Sequence, residues 1–117
     1  MKKIKRLENC CAPVALCHAS SVDEETVIRI CISCGYKEDK GMYMEEILEA
    51  AKSLGLKLER VKTKKIILRH FRNNHNNGLY LVTTYDHIFC LDNGIIYDPC
   101  TFGGLRRLIT GAWKVLR

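Results

Sequence analysis

The sequence predicts an α+β domain in which N-terminal helices pack on a small antiparallel sheet. Two observations support this fold class: apolar residues recur at helical spacing in the first half of the chain, and β-rich segments separated by turns fill most of the second half. Helices followed by a run of strands are typical of α+β domains. Since 117 residues suit one hydrophobic core and not two, residues 1–117 are expected to form a single domain.

Four segments carry helix signals. Ser21 and Glu24 have the spacing of a capping box, and Gly35 and Gly55 stand where helices are expected to end. The predicted helices are Cys11 to Ser20, a second helix between Ser21 and Gly35, Met42 to Leu54, and Lys64 to Asn73.

The strands are predicted from β-branched and aromatic runs bounded by turn residues. Asn93-Gly94 is a hairpin signal, because both residues tolerate the positive φ that a two-residue type I′ turn requires. The predicted strands are a short one containing Leu56, Leu58 and Val61, then Leu79 to Tyr85, His87 to Leu91, Ile95 to Asp98, and Leu105 to Leu116.

Composition argues against several classes of protein. No run of about 18 apolar residues occurs, so no membrane-spanning helix is expected. The basic N-terminus is not followed by an apolar signal segment, and seven cysteines, an odd number, do not suit a disulfide scaffold. We therefore expect free thiols in a reducing, cytoplasmic environment.

The chain is basic, with a formal net charge of +6. Basic residues gather at both ends and between Lys57 and Arg72. Such a surface permits contact with nucleic acid. However, the sequence has no recognition-helix pattern, no basic motif interleaved with aromatic residues and no glycine-rich phosphate loop. Nucleic acid is therefore a possible partner but not the favoured one.

The hairpin turn decides which residues face each other. With a two-residue loop, Asp92 pairs with Ile95 and, counting outward, Phe89 pairs with Asp98. Because side chains alternate along a strand, His87 shares a face with Phe89 and lies diagonal to Asp98. An aspartate at that position could orient the imidazole. A three-residue loop would separate the two side chains, so the pair depends on the turn type.

Cys10 and Cys11 lie where the first predicted helix begins. A helix N-terminus carries a partial positive charge and free N–H groups, which favour a thiolate and can stabilise an oxyanion. One of these thiols, together with a histidine oriented by a carboxylate, would form a Cys-His-Asp set. The competing interpretation is a space-filling cysteine beside a histidine and an aspartate that are simply solvated.

These segments, 10–16 and 86–98, resemble the papain-like cysteine peptidase fold, in which a cysteine opens the first long helix and a histidine and an Asp or Asn follow on later strands. The closer similarity is to bacteriocin-transporter peptidases and related short phage proteins. The similarity to the phage proteins extends through Gly35, Gly41, Phe71, 78–82 and 113–115. It implies hydrolysis of a peptide, isopeptide or other amide bond. It also implies a protein or peptide substrate, no cofactor or metal, and, for a phage protein, the host cytoplasm.

The resemblance assigns Cys11 as the nucleophile when the helix motif is aligned on Pro13, and alignment on Asn9 would select Cys10 instead. The oxyanion glutamine of the family corresponds to Lys5, and the chain contains no glutamine. Either Asn9 or the backbone N–H of Cys11 would then have to stabilise the oxyanion.

In the same assignment, His87 removes the thiol proton and later protonates the leaving amine, and Asp98 holds the His87 ring. Cys11, His87 and Asp98 are thus the predicted catalytic residues.

Two alternatives remain. The missing glutamine favours a catalytically weak or inactive interaction module on the same fold, which would bind a phage or host protein or a nucleic acid. A third hypothesis is a zinc-binding regulator built on Cys31 and Cys34, a CxxC pair without a regularly spaced second pair. Core packing is the predicted role of Cys31.

Overall fold

The computed structural model describes residues 11–85, 87–97 and 105–116. The helices and strands formed by these residues are α1 (Cys11–Ser20), α2 (Glu24–Ser33), α3 (Met44–Ser53), β1 (Lys57–Val61), α4 (Leu68–Asn74), β2 (Leu79–Thr84), β3 (His87–Asp92), β4 (Ile95–Tyr97) and β5 (Gly111–Leu116).

The five strands form one sheet with the order β1-β5-β2-β3-β4, and every neighbouring pair is antiparallel. This arrangement of four helices and an antiparallel sheet confirms the predicted α+β class. None of the helices in the described part of the chain is long and apolar enough to span a bilayer.

The sheet separates two apolar clusters. On one face, α1, α2 and α3 pack against inward-facing residues such as Leu81, Cys90 and Trp113. On the other face, α4 packs through Leu68 and Phe71. The core of the molecule therefore lies mainly between the sheet and the three N-terminal helices.

Local signals place most element ends correctly, with two exceptions in the helices. The N-cap of α2 is Asp23 and not Ser21, because the Asp23 carboxylate accepts a hydrogen bond of 3.0 Å from the backbone N–H of Thr26. Ser21 instead has a φ of 58°, just after the end of α1.

The segment before α4 is extended and not helical. The backbone carbonyl of Ile66 accepts a hydrogen bond of 2.9 Å from Ile109, and Ile67 forms an isolated bridge with Leu108. The prediction of a helix from Lys64 was therefore wrong for its first residues, because these β-branched side chains belong to a pairing with a distant segment. The last strand is also shorter than predicted.

The predicted hairpin is confirmed in the described residues. Asn93 and Gly94 have φ values of 50° and 84°, as a type I′ turn requires. Cys90 pairs with Tyr97, and Asp92 pairs with Ile95, which is the predicted register.

Candidate functional site

Helix α1 lies along strand β3 and runs in the same direction. The thiol of Cys90 donates to the backbone carbonyl of Ala15 at 3.1 Å, and one turn further along the helix His18 bonds to Asp92. The second contact lies further along both the helix and the strand than the first contact does. The first residues of the two elements therefore lie at the same end of the pair.

A cleft of about 500 Å³ opens at that end, and both Cys11 and His87 line it. Cys11 is in the first turn of α1, and His87 is the first residue of β3. Six helices and strands and the loop before α3 contribute to the cleft. Its described lining is Cys11, Ala12, Lys40, Met42, Tyr43, Met44, Ile47, Arg60, Thr83, Thr84, Tyr85, His87, Ile88, Thr110 and Trp113.

His87 reaches the cleft from the end of the sheet. It shares a sheet face with Phe89, as predicted, and the two ring centroids are 6.1 Å apart. Since Phe89 packs in the α4-side cluster, His87 lines the cleft from the sheet face opposite α1. Of the other residues proposed for the site, Asp98, Cys10 and Asn9 lie outside the described residues. Their roles remain predictions.

The wall opposite β2 and β3 is formed by the loop that leads into α3. A bridge between Lys37 and Gly41 closes this loop. The carboxylate of Glu46 then accepts a hydrogen bond of 2.8 Å from the backbone N–H of Tyr43. A Cβ at Gly35 would overlap the Glu46 carboxylate. The loop is thus held in place, and it presents the two methionines of the cleft lining.

Two solvent-exposed tyrosines border the cleft. Tyr43 is 70% exposed and Tyr85 is 91% exposed, which is unusual for large apolar rings without a partner. An exposed aromatic rim of this kind is typical of surfaces that contact other molecules.

Thr84 is a feature that the sequence reading missed. It pairs directly with His87 across the β2–β3 ladder and lines the cleft. It is 4% exposed, and its hydroxyl has no hydrogen-bond partner among the described residues. A threonine at the end of a strand carries no sequence signal for such a position.

A second cluster lies at the other end of the α1–β3 pair, and the sequence did not predict it. His18 Nε2 is 3.1 Å from Asp92 Oδ2, and the His18 ring stacks on Tyr97 with centroids 4.2 Å apart. His18 is about two helical turns from Cys11 and so is not placed to activate that thiol.

The CxxC pair lies at the end of α2, as predicted. Cys31 is fully buried in the helix-side core, and Cys34 is the C-cap residue. Burial raises the pKa of the Cys31 thiol to about 12, which disfavours the thiolate that a zinc site needs. Across residues 11–85, 87–97 and 105–116, no group of three or more potential ligands is arranged to hold a metal ion.

No family model matches the sequence, and comparisons with curated proteins and with solved structures also give no match. The cleft is therefore interpreted from its own residues. It combines a thiol at a helix start, an imidazole, two cationic side chains and an apolar wall.

Proposed function

We propose that this protein is a cysteine-dependent amide hydrolase in which Cys11 is the nucleophile and His87 is the general base. The observation that carries the proposal is that both residues line one cleft, each at the start of its element. A papain-like catalytic arrangement has the same order along the chain. In this assignment Asp98 orients the His87 ring.

The reaction follows from the chemistry of these groups. His87 takes the proton of the Cys11 thiol, and the thiolate attacks the carbonyl carbon of the substrate amide. The C–N bond then breaks as His87 returns the proton to the leaving amine, and a thioester remains on Cys11. Water, deprotonated by His87, hydrolyses the thioester and regenerates the thiol.

The start of α1 supports the negative charge that develops on the substrate oxygen. The first backbone N–H groups of an α-helix have no partner within the helix, and the helix dipole is positive at this end. The N–H of Cys11 can therefore act as an oxyanion donor. The second donor of the papain-like assignment falls to Asn9.

Selective alkylation tests the nucleophile. With limiting iodoacetamide near about pH 7, we expect Cys11 to react at least about tenfold faster than Cys17 and Cys34, because His87 can accept the Cys11 proton as the sulfur attacks. Peptide mass mapping identifies the labelled residue and separates Cys11 from Cys10.

Cys11→Ala should remove both the fast labelling and the cleavage of a mixed peptide library, and the matched variant Cys34→Ala should retain them. Fast labelling at Cys10 would transfer the nucleophile assignment to that residue. Slow and uniform labelling of all accessible thiols would overturn the hydrolase proposal in favour of a non-catalytic module.

A further inference from the structure

The permanent charges of the cleft, among its described lining residues, are all of one sign. Arg60 and Lys40 are the permanently charged side chains among its described lining residues, both are cationic, and no Asp or Glu is among them. Since clefts lined by one sign of charge concentrate ions of the opposite sign, the cleft favours an anionic group on whatever enters it.

Arg60 is held in position at the far side of the cleft. It lies on β1 directly opposite Trp113 of β5, and its guanidinium carbon is 5.3 Å from the centroid of the indole ring. Trp113 is only 7% exposed and is therefore a fixed platform. Within the described residues Arg60 makes no ion pair. A guanidinium that contacts an aromatic ring can still donate its N–H groups to an acceptor.

The chemistry of the remaining lining favours a peptide as the carrier of that anion. Met42, Met44 and Ile47 form an apolar wall on the side of the cleft contributed by the loop and α3. Methionine side chains adapt to apolar groups of different shapes. An apolar side chain next to a carboxylate matches this combination, and a planar carboxylate matches the fork of an arginine.

We propose that Arg60, assisted by Lys40, binds a carboxylate of the peptide substrate and makes the protein selective for acidic peptides. The proposal rests on the cleft being the substrate site of the hydrolase proposed above. Arg60 is a specificity-determining residue in this assignment and takes no part in bond breaking.

An alternative role for Arg60 must be separated from this one. The strand β1 lies at an edge of the sheet, and an inward-pointing charge on an edge strand can protect against edge-to-edge aggregation. In that case substitution of Arg60 would change aggregation and leave ligand preference unaltered.

The test uses binding, so that it does not depend on catalysis. Trp113 is the single tryptophan of the chain and lies in the cleft, so its fluorescence reports occupancy. The Cys11→Ala variant of the 117-residue chain is titrated with N-acetylated, C-amidated peptides that contain one leucine and either one glutamate or one glutamine. A glutamine peptide with a free C-terminus shows whether the recognised carboxylate is terminal.

The glutamate peptide should bind about fivefold more tightly than its glutamine twin, a preference that weakens with added salt. Arg60→Gln should abolish the preference and Lys40→Gln should reduce it, while Arg69→Gln, an equal charge change on α4, should retain it. Equal affinities for the twins, a preference that survives in Arg60→Gln, or tighter Arg60-dependent binding of a single-stranded oligonucleotide would overturn the proposal.

The two proposals fail in different ways. If acidic peptides bind through Arg60 but the native protein neither labels selectively nor cleaves peptides, the hydrolase proposal falls and the carboxylate site stands. If the native protein cleaves glutamate and glutamine peptides equally well, the hydrolase stands and the carboxylate site falls.

Discussion

The two ends of the α1–β3 pair each carry a histidine, and they differ in what surrounds it. At the closed end, His18 is bonded to Asp92 at 3.1 Å and stacked on Tyr97. At the open end, His87 lines a cleft with Cys11. The comparison indicates that the two ends have different roles. Contacts at the closed end fix the position of α1 along β3. That position places Cys11 and His87 at the same, open end.

The largest difference between the ends should appear when each histidine is removed. His87→Ala should slow alkylation of Cys11 and peptide cleavage by about 10²–10⁴-fold, the usual contribution of a general base. Its melting temperature should change little, because His87 is at the end of its strand. Rates are measured by quenched labelling with mass detection. A rate within twofold of the native protein would remove His87 from the mechanism.

Removing a buried side chain from the middle of α1 should lower the free energy of unfolding. Leu16 is fully buried in the cluster between α1 and the sheet. Leu16→Ala should lower the free energy of unfolding by about 2–5 kcal/mol, measured by urea denaturation. Leu108→Ala, at a 56% exposed leucine, is the control and should cost far less. A small loss at Leu16 would mean that α1 is not the element that anchors the cleft.

Substitution of His18 at the closed end should lower the stability of the fold moderately and should change the alkylation rate of Cys11 only slightly. His18→Ala should cost about 1–2 kcal/mol of unfolding free energy, since it removes a partly buried hydrogen bond and a ring contact. Alkylation of Cys11 should stay within a few-fold of the native rate. If His18→Ala slowed the alkylation of Cys11 as much as His87→Ala does, the two ends would not be separate in function.

Cys31 supplies a buried reference thiol whose ionisation is disfavoured in the folded protein. Burial raises its pKa from 9.0 to about 12 in the folded protein, so its neutral form stabilises the fold below pH 9. That contribution is lost as the pH rises from 9 towards 12, because the unfolded state then ionises first. The stability of the native protein should therefore fall relative to Cys31→Val between about pH 8 and about pH 10.5. An unchanged difference would argue against burial of this thiol.

The smallest effect is expected at Thr84. Its buried hydroxyl has no partner among the described residues, so the nearly isosteric Thr84→Val should leave the melting temperature unchanged or slightly raised. Thr83→Val is the contrasting variant, because the Thr83 hydroxyl is 2.9 Å from that of Thr110. A large loss of stability in Thr84→Val would show that the hydroxyl is bonded in the folded protein.

Much of the local structure was predictable because its causes are local. The residues of α1 and the hairpin register follow from side chains within a few positions of each other, as Asn93 and Gly94 show. The choice of Asp23 over Ser21 as a helix cap was not resolved, since both residue types are good caps and only Val22 separates them.

The parts of the site that escaped prediction depend on distant pairings. His18 and Asp92 are 74 positions apart, and Arg60 meets Trp113 only because β5 pairs with β1. Strand order is set by burial of the whole sheet, and no local pattern encodes it. The sequence was enough to propose Cys11 and His87 as catalytic residues, but it did not predict the cationic and aromatic residues that line the same cleft.

The position of β5 has a consequence for how the protein is made. This strand is synthesised after the other four described strands, yet it lies between β1 and β2 in the finished sheet. Until it emerges from the ribosome, two strand edges have no partner and are exposed to other nascent chains. Trp113 and Arg60 also cannot meet before then, so the part of the cleft that they line forms only after β5 has been synthesised.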